Sequence, residues 1–112
     1  MTVRVVVGPG GVLRRVEASG HAGGEGAGSN PACAAVTVLL RSAWETMALY
    51  EGVSPSGSAA SPGSLGFTLG RYPEEAEERL RGIADFLLVG ISGVEREHPG
   101  KVHLVLEDER RT

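Results

Sequence analysis

The stretch that decides the fold is Gly20-His21-Ala22-Gly23-Gly24-Glu25-Gly26-Ala27-Gly28-Ser29-Asn30-Pro31-Ala32-Cys33-Ala34-Ala35-Val36. It joins an extended run to a helical one, and it carries the single cysteine and the first of three histidines. Asn30 can accept a backbone N–H as helix N-cap, and Pro31 has the fixed φ suited to the first helical position. Cys33 then falls in the first turn. Beyond it, Ala32, Val36, Leu39, Leu40, Ala43 and Met47 recur at helical spacing, which predicts a helix to about Tyr50 with Gly52 available to end it.

Upstream, Thr2 to Val7 is mostly β-branched and stops at Gly8-Pro9-Gly10-Gly11, a strong turn signal. Val12 to Ser19 then places Val16 and Ala18 on one face and Glu17 and Ser19 on the other. The two runs predict a hairpin whose second strand ends at Gly20-His21.

Downstream, Val53 to Gly66 is rich in Ser, Gly, Pro and Ala. Reading it as a linker would leave two pieces of about 50 residues, each too small to hold a good core. The expectation is instead a hairpin connection, with a short strand near Val53 and another over Leu65 to Gly70. Tyr72-Pro73-Glu74-Glu75 opens a second helix, its acidic residues suited to the positive end of the helix dipole. Ala76, Leu80, Ile83, Ala84, Leu87 and Ile91 form its inward stripe. Gly90 and Gly93 weaken its last turn, and Val94 to Gly100 reads as polar loop. Val102, Leu104 and Leu106 alternate with His103, Val105 and Glu107, a final strand with two fairly apolar faces and hence an expected interior place in the sheet.

The order strand, strand, helix, strand, strand, helix, strand predicts an α+β fold: a mainly antiparallel five-stranded sheet with two helices on one face, in a single domain over residues 1–112.

Composition bounds the function. Hydrophobic residues make up 41% and charged residues 22%, as in globular proteins, while aromatics are only 4%. The core is therefore aliphatic, with Trp44, Phe67, Tyr72 and Phe86 expected as anchors. A net charge of −3 with scattered basic residues gives no electrostatic footprint for nucleic acid. No stretch approaches the roughly 20 apolar residues that span a bilayer. One cysteine excludes an internal disulfide framework, and the sequence shows no signal-peptide pattern, so a cytoplasmic location is expected. Neither a dinucleotide fingerprint nor a Walker lysine accompanies the glycines, and His98 and His103 belong to no ligand cluster, so no cofactor and no metal are expected.

One constellation carries chemistry. A cysteine attacks only as its thiolate, and helix N-termini and imidazolium groups are the usual means of forming one. The opening amides of the helix could also hold an oxyanion. His21, twelve residues before Cys33, is joined to it by a loop long enough to bring imidazole to sulfur. The spacing permits that pair without demanding it: a cysteine among alanines also suits a small buried hydrophobe, and a histidine an ordinary surface side chain. The glycines, likewise, suit either close approach to a ligand or a solvent loop.

Gly20-His21-Ala22-Gly23, then Gly28, then Cys33-Ala34-Ala35-Val36-Thr37 resembles the two-part signature of the bacterial ribosomal-processing cysteine proteases, the Prp family. The resemblance extends to length, element order and the acidic start of the second helix. It implies an endopeptidase that removes the N-terminal extension of a large-subunit ribosomal protein precursor, with Cys33 as nucleophile and His21 as general base. Gly23, Gly24, Gly26, Gly28 and Asn30 would touch the substrate, and the protein would form a homodimer. Three features depart from the family pattern. Asn30 stands where relatives usually carry an aspartate, Pro31 replaces an aliphatic residue, and Gly24, Gly26 and Ala27 replace bulkier loop residues. Asn30 and the stripped loop favour the alternative of a non-catalytic peptide-binding or ribosome-assembly module built on the glycine loop and the helix N-terminus.

Overall fold

The computed structural model describes residues 1–20, 31–61 and 64–111. β1 (Thr2–Val7) and β2 (Leu13–Ser19) form the expected hairpin, in the register Val3↔Ala18 and Val5↔Val16, with an irregularity between Val6 and Val7. Val3, Val5, Val7, Val16 and Ala18 are buried while Arg4, Arg15 and Ser19 are exposed, so one face of the sheet is covered and the other meets solvent. The turn between the strands closes through Gly8 N–H to Val12 O and Gly11 N–H to Gly8 O, both 2.9 Å.

α1 (Pro31–Ala48) buries Ala32, Cys33, Val36, Leu40, Ala43 and Met47. It stops two residues before the expected end, and the chain leaves it through tighter turns, Leu49 N–H to Thr46 O and Tyr50 N–H to Met47 O. Gly52 follows at φ +79°, where a Cβ would lie 2.6 Å from Pro73 Cγ.

β3 (Ser56–Ser61) and β4 (Ser64–Thr68) fill the Ser/Gly/Ala-rich segment as a hairpin. The earlier strand begins at Ser56 rather than near Val53, because Val53 is buried in the core and its N–H is still committed to Tyr50 O in the turn after α1. A 3₁₀ turn over Glu74–Ala76 leads into α2 (Glu77–Glu97), and a second, Glu109–Arg111, follows β5 (His103–Asp108). Neither 3₁₀ turn was in the expected element order. α2 also continues through Val94, which reads as loop in the sequence. Each interior glycine costs about 1 kcal/mol relative to alanine, but Leu87, Ile91 and Val94 are buried and hold the final turns against the core.

The sheet order is β3-β4-β2-β1-β5, and β5 runs parallel to β1 (Val3↔Leu104, Val5↔Leu106). The sheet is thus mixed, and β5 is an edge strand, not an interior one. Its second apolar face is explained by partial exposure: Leu106 is 47% accessible. The edge is partly closed by α2, where the Glu95 carboxylate accepts the Leu104 N–H at 3.0 Å. α1 carries the chain from β2 to the parallel β3, and α2 from β4 to the parallel β5. Because the two crossovers start from antiparallel strands and move in opposite directions, right-handed connections put both helices on the same face. Of the four expected anchors, Phe67 is buried and Trp44 and Tyr72 partly so, but Phe86 is 72% exposed beside the groove between α1 and α2.

Candidate active site

α1 begins at Pro31, as its missing N–H and fixed φ favour. Cys33 is therefore in the first turn, where the backbone amides have no acceptor within the helix and the dipole presents its positive end. Cys33 is 1% exposed. It lies on the side of the helix that also carries Trp44, whose ring meets Phe67 of β4 at a 40° tilt, whereas Leu39 and Ala43 turn towards Ile83 and Leu87 of α2.

The other half of the constellation starts from the end of β2. Ser19 pairs with Thr2, and Gly20 follows at φ +85°, with Met1 Cα 3.9 Å from where its Cβ would stand. Met1 is itself tied down, its ammonium donating to Lys101 O at 3.0 Å and its carbonyl accepting the His103 N–H at 2.9 Å. The chain thus leaves the sheet from a fixed point. His21, Gly23, Gly24, Gly26, Gly28 and Asn30 lie outside the described residues. Of the expected site residues, the structure places Cys33.

Two surface features were missed in the sequence. One is a pocket of about 300 Å³ between α1 and β4, lined by Arg41, Trp44, Glu45 and Leu65. The spacing of eleven between Cys33 and Trp44, three helical turns, was the available signal. The other is a shallow polar groove of about 600 Å³ along the solvent face of β2 and β4, which includes Arg4, Arg15, Glu17 and Ser19. Arg15 Nε donates to Glu17 Oε1 there at 2.8 Å, the two residues being two apart on one strand face.

A sheet covered on one face by two crossover helices is an arrangement found in solved structures across nearly the whole chain. The essential ribosomal processing protease Prp from S. aureus, with a covalently linked product peptide, superposes with a TM-score of 0.74 at 18% identity, over 95% of this chain and 98% of that one. The same protease with a substrate peptide gives 0.73 at 19% identity, over 95% and 98%. SMU.848 from Streptococcus mutans gives 0.75 at 21% identity, over 96% and 93%. At these identities the likeness establishes the fold. A search of curated proteins gave no match. The family described as cysteine protease Prp matches residues 1–103, and the chain belongs to that family.

Proposed function

We propose that this protein is a cysteine endopeptidase that removes the N-terminal extension of a large-subunit ribosomal protein precursor. The observation that carries the reading is the position of Cys33 in the first turn of α1, in a chain of a cysteine protease family. The S. aureus relative, bound to a substrate peptide and described as a ribosomal processing protease, supports the substrate class.

In this mechanism His21 takes the thiol proton and the Cys33 sulfur attacks the scissile carbonyl carbon. The oxyanion is held by opening amides of α1. Collapse of the tetrahedral adduct breaks the C–N bond, and the leaving amine takes the proton from His21. A water deprotonated by His21 then attacks the thioester, releasing the carboxylate product and restoring the thiol. Gly23, Gly24, Gly26, Gly28 and Asn30 contact the peptide. The reaction uses no metal or cofactor. The protein acts in the cytoplasm as a homodimer of single domains spanning residues 1–112.

The experiment is incubation of a precursor peptide with purified protein, followed by mass spectrometry. The wild type is expected to release one N-terminal fragment, and Cys33→Ala none while melting as a folded protein. Cleavage by Cys33→Ala would remove the thiol from the mechanism.

The 1% exposure of Cys33 favours a second reading, a peptide-binding module in which the cysteine is a core residue. Equal peptide binding by wild type and Cys33→Ala, with no product from either, decides for it.

A further inference from the structure

Resting on the homodimer reading, we infer that a second copy of the chain docks on the outer face of α1 and α2, about a two-fold axis that crosses both helices. The helices run antiparallel, with Leu39 packed over Gly90 and the Arg79 guanidinium 5.4 Å from the centre of the Tyr50 ring. Those two pairings put Ala43 of α1 level with Leu87 of α2, and both residues line the groove of about 330 Å³ between the helices. On the outer side, Val38, Phe86 and Val89 are 63%, 72% and 72% exposed. A row of large apolar side chains on a folded surface marks an interaction site. Helices of 18 and 21 residues, side by side, present a face of about 600 Å² in outline, before the relief of the side chains is counted. That is close to the roughly 800 Å² that each partner gives to a stable interface.

The charges on this face identify the occupant as the same chain. Arg41 and Glu45 each stand two residues from Ala43, Glu78 and Arg96 each stand nine residues from Leu87, and all four are exposed. Glu45 follows Val38 by two helical turns and Arg96 follows Val89 by two, so both pairs border the apolar row. Each pair is therefore symmetric about the level of Ala43 and Leu87, and opposite in sign. A two-fold axis crossing the helices at that level lays α1 on α1 of the second copy and α2 on α2, antiparallel. Arg41 then meets Glu45 of the second copy and Glu78 meets Arg96, each contact being formed twice. The two Phe86 side chains come together at the centre. A two-fold axis along the helices would instead lay α1 on α2 and bring Glu45 towards the exposed Asp85, a like charge that disfavours it. With Cys33 ten residues from Ala43, the crossing axis sets the two thiols about 30 Å apart along the helices.

The test is sedimentation equilibrium of the purified protein. The wild type is expected at twice the 11.6 kDa mass of one chain. Phe86→Lys, at a position exposed enough to leave the fold intact, is expected to weaken association at least about a hundredfold. Arg41→Glu, which sets like charges opposite each other, is expected to weaken it about tenfold. Adding Glu45→Arg to Arg41→Glu re-forms the pair with its charges exchanged, and is expected to restore the dimer. Thermal melting confirms that each variant is folded. Dimers of wild-type strength in both Phe86→Lys and Arg41→Glu overturn this docking face and leave the homodimer reading standing. A wild type that stays monomeric up to its solubility overturns both, and gives the face to a partner of another kind. A double variant that associates no more tightly than Arg41→Glu overturns the charge pairing and the crossing axis with it.

Discussion

Leu39 of α1 packs directly over Gly90 of α2: a Cβ built on Gly90 would lie 3.0 Å from Leu39 Cδ2 and 3.1 Å from Cδ1. Gly82, two turns earlier on α2, has nothing within 4 Å of the same position. The two glycines therefore answer alanine differently. Gly82→Ala gains helix propensity without contact and is expected to stabilise by about 0.5–1 kcal/mol, a rise in melting temperature of roughly 2–5 °C. Gly90→Ala needs the Leu39 methyls to give by a few tenths of an ångström, and that overpacking, about 1 kcal/mol, offsets the gain. Melting curves that rise equally for both variants would show that Leu39 yields freely.

The approach of β3 to β4 is closer still and involves backbone. A Cβ at Gly57 would meet Gly66 O at 2.0 Å and Phe67 Cα at 2.7 Å. No rotamer change relieves a backbone contact, so Gly57→Ala is expected to push β3 away and to destabilise by about 1–3 kcal/mol. Hydrogen exchange read on the β3 amides should accelerate, while β1 and β2 keep their protection. Unchanged exchange across β3 would refute the close pairing.

Glu95 has a role that its charge does not reveal. Its carboxylate accepts the Leu104 N–H at 3.0 Å and lies 3.7 Å from His103 Nδ1, with His103 74% exposed. A contact with so exposed a side chain is solvent-screened and contributes little, so the backbone hydrogen bond at the sheet edge dominates. Glu95→Ala is expected to lose about 1 kcal/mol, and Glu95→Gln, which keeps an acceptor, to recover most of it. A glutamine variant as unstable as the alanine one, by denaturant titration, would give the effect to the charge instead.

The parts of this fold that a sequence shows are those repeated along it. The inward stripes of α1 and α2 and the alternation of Val16, Glu17, Ala18 and Ser19 were legible because each residue's environment follows from its neighbours' spacing. The place of β5 was not, since Val105 and Leu106 are as apolar at an edge as they would be inside, and the device that closes the edge comes from Glu95, nine residues away on another element. The continuation of α2 past Gly93 was hidden for the same reason: the burial of Val94 is a tertiary fact that outweighs a local propensity. At the site, Cys33 in a first helical turn was readable from Asn30-Pro31, whereas the pocket at Trp44 depends on Leu65, which only the pairing of β4 with β2 brings alongside α1.

Asn30 provides the sharpest test of how far this chain follows its family. Three residues before Cys33, it stands where the resemblance to the Prp signature implies an aspartate. Both side chains can cap a helix, so the exchange is close to neutral for the start of α1. They differ towards an imidazolium, which an aspartate stabilises by charge and an asparagine can only orient. If the residue faces His21 during the reaction, Asn30→Asp is expected to raise kcat at least about tenfold with little change in melting temperature. The capping role alone predicts equal kcat for the two proteins. A single-turnover assay on the precursor peptide separates these outcomes, because it reads the acylation step, in which the thiol proton passes to His21. A gain confined to KM would place Asn30 against the substrate rather than the histidine.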